Sequence, residues 1–181
     1  GNTGTASPVI VTVNNTNLVA AYGFDESAGA IANDNSGNGN TGTLTNGPTR
    51  SSSGKYGAAI LFDGTNDLVN VNDANSLDLT NGMTLEAWVN PGNLTDYKTV
   101  ICKERTTNGY VYTMAANNAT TGATNQRPNG RIRIGNNNRT VTGAAKLSIN
   151  TWTHIATTYD GSIMRFYVNG VQSSTFATTG N

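Results

Sequence analysis

The chain is expected to be all-β, a two-sheet antiparallel sandwich, and three observations lead there. The first is residues 152–171, where three short apolar runs are separated by Asp160-Gly161 and Asn169-Gly170. Both dipeptides tolerate the positive φ of a type I′ turn, so two tight hairpins are expected in succession. The second is the alternation between those turns. Ile163, Arg165 and Tyr167 interleave with Met164, Phe166 and Val168, the period of two that gives a strand two distinct faces. The third is composition. Thr and Asn are the commonest residues, Gly follows at 21, and charged residues are only 12%. Strand and turn formers therefore abound where helix formers are scarce.

Taken in order, residues 8–13 (PVIVTV) form a strand followed by a polar linker, which sets residues 1–16 apart from a domain over 17–181. Residues 18–24 are a strand, and 28–48 an ordered loop rich in Gly, Asn, Asp and Thr. Residues 55–62 return to the core and turn at Asp63-Gly64; residues 67–71 alternate cleanly; residues 72–79 have room for one helical turn. Residues 83–90 place Leu85, Ala87 and Val89 on one face and Thr84, Glu86 and Trp88 on the other, ending at Pro91-Gly92. Strands are expected over 98–103, 109–115 and 130–134, with a long polar loop over 116–129, and a last strand over 171–176. Turn signals at this spacing fit a sandwich of about a dozen strands.

Charge and composition narrow the function. A formal net charge of zero and a pI of about 6.8 leave no overall electrostatic footprint for nucleic acid or an anionic membrane surface. No apolar run approaches a membrane-spanning helix. The single cysteine, Cys102, lies in an apolar run and is expected to be a small buried residue without nucleophilic activation. Low charge with Asn, Thr and Gly enrichment points to a secreted or surface protein.

Several motifs occur in a fixed order: YGFDE from Tyr22, DNSGNGNTG from Asp34, AILFDG from Ala59, MTLEAWV from Met83, WTHIATTYDG from Trp152 and FYVNG from Phe166. This series resembles the laminin-G-like, concanavalin A-like lectin family of bacterial surface and secreted proteins, over about residues 17–176. Residues 8–13 resemble the closing strand of a bacterial immunoglobulin-like repeat, the alternative being a first strand of the domain itself. The resemblance implies a jelly roll that binds carbohydrate or protein without catalysis, often with structural calcium. It also implies two further strands and an acidic residue beyond the present end. Strands 171–176 and 8–13 could therefore exchange with a neighbouring chain.

Candidate sites follow. For calcium, the 34–42 loop offers the hard oxygens of Asp34 and Asn40, with Asp25 and Asp63 brought near by folding; the alternative is that Asp34 and Asn40 cap turns. For a glycan, rings stack on sugar faces while amides and cations meet hydroxyls, and Tyr97, Tyr110, Tyr112, Arg131 and Asn137 are the selected group. Trp88 and Trp152 are expected to be structural. No enzyme is expected. The only glutamates are Glu26, Glu86 and Glu104, and none has the spacing of a carboxylate pair on one strand. His154, the sole histidine, is expected mid-strand in the core. The reading is a non-catalytic binding module of an extracellular protein. Two alternatives stand: a structural subunit completed by a neighbour's strands, and an accessory domain of a glycoside hydrolase.

Overall fold

The computed structural model describes residues 17–106, 109–119 and 126–180. The chain divides into two compact units, Gly1–Asp78 and Leu79–Asn181. The expected strand at 8–13, with its immunoglobulin-like assignment, lies outside the described residues.

In the first unit, β1 (Ile31–Ala32), β2 (Gly42–Thr45) and β5 (Leu68–Val71) form a small antiparallel sheet in the order β1-β2-β5. A separate ladder joins β3 (Thr49–Ser51) to β4 (Ala59–Leu61). One 3-10 turn spans Asn75–Leu77, where a single helical turn was expected. The stretch 18–24 makes no ladder. Its backbone is bonded by side chains instead: Val19 O accepts from Ser36 Oγ, Asn38 Nδ2 and Asn40 Nδ2, and Ala21 N donates to Asp34. Short polar side chains have taken the place of a neighbouring strand, and Phe24, at φ 60°, breaks the extended run. Residues 61 and 62 do not reach a core either. Leu61 and Phe62 are both more than half exposed, because β4 is short and its one partner, β3, is polar.

The second unit is built on two four-stranded antiparallel sheets. One runs β10-β9-β8-β7, from β7 (Lys98–Glu104), β8 (Tyr110–Asn117), β9 (Asn129–Ile134) and β10 (Asn137–Thr142). The other runs β13-β12-β11-β6, from β6 (Met83–Val89), β11 (Thr153–Tyr159), β12 (Ile163–Val168) and β13 (Val171–Ala177). Their facing sides supply one core: Leu85, Ile155, Met164 and Phe166 from the second sheet, and Tyr112, Met114, Ile132 and Val141 from the first. Burying an aliphatic or aromatic side chain of this size contributes about 1.5–3 kcal/mol. The sheets approach closely at Gly130, where a Cβ would lie 2.2 Å from Thr157 Oγ1.

Two turns differ from each other. Asn169 and Gly170 have φ of 50° and 77° and close β12 onto β13 as a two-residue hairpin. The Asp160-Gly161 connection is longer, since Tyr159 pairs with Met164. There the Asp160 carboxylate accepts from Ser162 N and Ile163 N and meets Arg165 Nη1 at 2.6 Å, so the side chain, not a type I′ backbone, sets the turn. The strand β10 was not expected. Its sequence, NNRTVT, carries one core residue, Val141, and otherwise has the polarity of an edge strand.

Candidate functional site

Strand alternation defines two sides of the β7–β10 sheet. Ile132 and Gly130 face the core, so Arg131, Asn129 and Arg133 face the other way. In register, Cys102, Thr113, Arg131 and Thr140 form one cross-strand row. Thr99, Ala115, Asn129 and Thr142 form the next, and Arg133 opposes Asn138. This non-core side is mostly polar and recessed at its centre: Thr113 is 8% exposed and Asn129 1%.

Tyr97 stands over the rows. Its ring is 55% exposed, and the Arg131 guanidinium lies 5.9 Å from its centroid, within cation–π range. The ring is held there through Asn117, whose buried amide reaches the carbonyls of Leu94 and Asp96 across the segment that carries Tyr97. Asp96 bends that segment with φ 56°.

The same face carries unmet hydrogen-bonding capacity. Both Asn129 side-chain atoms and Arg131 Nε are buried without a partner. Buried amides are rarely left so, and each missing bond costs about 1–3 kcal/mol unless water or a ligand supplies it. Cys102 is exposed at the end of the Arg131 row, not buried as expected. Partial desolvation, with the Glu104 charge adding to it, pushes its thiol above the ordinary range.

The selected glycan residues separate. Tyr97 and Arg131 meet on this face. Tyr112 is 6% exposed inside the core cluster, and this corrects its selection: a ring packed between sheets cannot stack on a sugar. Tyr110 alternates with it on the core side. Asn137 is exposed but opposite Ile134, on the core-side row. Asn129 was missed because a strand was expected to begin only at Gly130, which hid its face; Thr113 lay within the expected strand 109–115, on the face opposite Tyr110 and Tyr112.

A second polar cluster lies on the non-core side of the β6/β11 pair. Trp88 and His154 are opposite one another, with ring centroids 5.4 Å apart, and His154 Nε2 is 3.7 Å from Glu86 Oε2. His154 is therefore not a core histidine, because the core side of β11 belongs to Thr153, Ile155 and Thr157. Trp88, 37% exposed, is not core either. Trp152 is half-buried just before β11.

Each expected calcium ligand accepts a hydrogen bond from the chain itself. Asp34 Oδ1 accepts from Ala21 N and Ser36 N, and Oδ2 from Ser36 Oγ and Asn40 N, each within 2.9 Å. Asn40 Oδ1 accepts from Ser76, Asp25 from Ala58 N, and Asp63 from Thr65 N in a separate turn. Among the described residues no three acidic, histidine or cysteine side chains group around a common point. Calcium takes six to eight oxygens, and at Asp34 both carboxylate oxygens already accept bonds from the chain's own protons. Burial opposes ionisation of Asp34, but the Ser36 and Ala21 amides and the Ser36 hydroxyl outweigh it and hold its carboxyl below the ordinary range.

The neutral total conceals a division of charge. Gly1–Asp78 carries seven acids and two bases, a net of −5; Leu79–Asn181 carries four acids and nine bases, a net of +5.

Residues 63–181 match the profile described as the concanavalin A-like lectin/glucanases superfamily, of the laminin G type, and the chain belongs to that family. Two solved structures share its fold. Domain 4 of AbnA, a GH43 extracellular arabinanase from Geobacillus stearothermophilus determined with arabinotriose, is 21% identical with a TM-score of 0.63. The alignment covers 88% of this chain and 75% of that one. An S-layer domain-containing protein from Clostridium thermocellum is also 21% identical, with a TM-score of 0.53 over 90% of this chain and 73% of the other. No curated protein sequence matches. Among the described residues no helix is long and apolar enough to cross a membrane.

Proposed function

We propose that the chain is a non-catalytic glycan-binding module of an extracellular protein, and that it binds through the non-core face of the β7–β10 sheet. The observation that carries this reading is the pairing of an exposed ring, Tyr97, with Arg131, on the face that also holds the unpartnered buried amide of Asn129. Sugars need this combination, an aromatic platform with fixed donors and acceptors beside it. The arabinotriose complex of the AbnA domain, a relative in fold, supports the ligand class. An extracellular setting is supported by both neighbours in fold. Absence of catalysis is supported by the sequence: glutamates are three, and Glu86 faces a histidine instead of a second carboxylate.

A glycan array followed by calorimetry tests the reading. Binding that is lost in Tyr97→Ala and weakened in Asn129→Ala supports it. Binding unaffected by either substitution, or no binding to any glycan, removes it.

A structural role has its own support. β13 is an edge strand with Val171 70% exposed, and in the first unit Ile31, Leu61, Phe62 and Leu68 are each more than 40% exposed. Exposed edges and apolar strands invite strand addition by a neighbouring chain. A light-scattering mass that stays monomeric up to high protein concentration removes that reading.

A further inference from the structure

We infer that the glycan taken by the β7–β10 face is anionic, bearing carboxylate or sulfate groups; this rests on the binding face proposed above. Residues 105–159 contain Arg105, Arg127, Arg131, Arg133, Arg139 and Lys146 and no acidic residue at all. The strands built from that stretch, β9 and β10, put Arg131 and Arg133 on the non-core side, one row apart. Arg131 has no carboxylate partner among the described residues; its one described contact is the Tyr97 ring. Arg133 is turned toward the hairpin by Gly135 O and Asn136 Oδ1, neutral acceptors that leave its charge uncompensated.

A neutral sugar would satisfy hydroxyl-sized gaps and leave two guanidinium charges unanswered. A guanidinium presents a planar fork of N–H donors that matches a carboxylate or sulfate in two parallel bonds. Two such forks on adjacent rows suit acidic groups repeated along a chain. The aromatic ring beside Arg131 still provides the platform for the sugar face between the charges. A binding site of this kind follows ionic strength, because its charges lie at the surface where salt screens them.

Calorimetry with four probes tests the inference: trigalacturonate, its methyl ester, a sulfated trisaccharide and neutral arabinotriose. Trigalacturonate or the sulfated sugar is expected to bind at least about tenfold more tightly than the ester, the worth of one charge-assisted hydrogen bond. The arm that binds identifies which acidic group is read. Arg131→Gln should weaken acid binding more than ester binding, so that the acid-to-ester ratio falls toward one, and an unchanged circular-dichroism spectrum shows that the variant is folded. Equal binding of acid and ester, or preference for arabinotriose, overturns the anionic assignment and leaves the glycan-binding reading intact. No binding of any probe, repeated across the array, overturns both. As a second readout, Cys102 is the only cysteine in the chain and shares the Arg131 row. Bound acidic glycan should slow its maleimide labelling, and an unchanged rate at saturation places the ligand elsewhere and contradicts the inference.

Discussion

Asp34 shows how one side chain can decide the state of a loop. Of the four bonds it accepts, three, from Ser36 N, Ser36 Oγ and Asn40 N, close the 34–40 loop, and one, from Ala21 N, ties residues 18–21 to it. Glu26 has a comparable position: burial opposes its charge, but bonds from the Asn33 amide and Arg50 keep its carboxyl below the ordinary range. For both groups the folded pKa is depressed. Their contribution to stability is complete above the ordinary carboxylate range and is lost as pH falls below about 4. An acid titration followed by circular dichroism should show that loss, and Asp34→Asn, whose amide turns donors toward donors, should flatten it. The variant is expected to be less stable at neutral pH by about 1.5–3 kcal/mol. Calcium and chelator should give the same melting temperature. Gly130 is the corresponding position in the second unit. Alanine there meets Thr157, so Gly130→Ala should lower the denaturation free energy by about 1–3 kcal/mol, read from the urea midpoint.

Elements differ in how openly they declare themselves. The β6 strand, the β11–β13 meander and the 3-10 turn were legible because their alternation or turn chemistry is local. Asn169-Gly170 is the clearest case. Asn169 takes the positive φ and its Oδ1 accepts from His154 N, so Asn169→Ala should cost about 1–2 kcal/mol in thermal unfolding. The β10 strand was hidden, although Gly135-Asn136 between Ile134 and Asn137 is a recognised hairpin dipeptide, because an edge strand needs little apolar content. The 18–24 segment misled in the opposite direction. Its apolar run has strand composition, but loop side chains satisfy its backbone before a ladder can form. In the face itself, Tyr97 and Arg131 were legible from residue type, whereas Tyr112 was not, since a tyrosine on a strand has equal claim to either side until the partner sheet is known. Asn117 is a residue that acts through another. It should not touch ligand, and Asn117→Ala is expected to weaken binding by freeing the segment that carries Tyr97 while leaving the Arg131 contact in place. Calorimetry that shows unchanged affinity would separate the two residues.

Across the whole chain, the family and the fold were both carried by motifs in fixed order, and charge was where composition concealed most. A total of zero is the sum of a −5 unit and a +5 unit, so the basic face is invisible to any statistic taken over 181 residues. Binding through that face should weaken as salt rises from about 0.05 M to 0.5 M, where the Debye length shrinks to a few ångströms; affinity independent of salt would mean that the arginines do not carry the interaction. Two polar faces compete for the role of binding site, the Tyr97–Arg131 rows and the Trp88–His154–Glu86 cluster, and they lie on different sheets. Amide chemical-shift mapping during titration with a glycan found on the array distinguishes them most directly. Shifts centred on Tyr97, Thr113, Asn129 and Arg131 are the predicted result; shifts confined to Trp88, His154 and Glu86, or to the 34–42 loop, would contradict it.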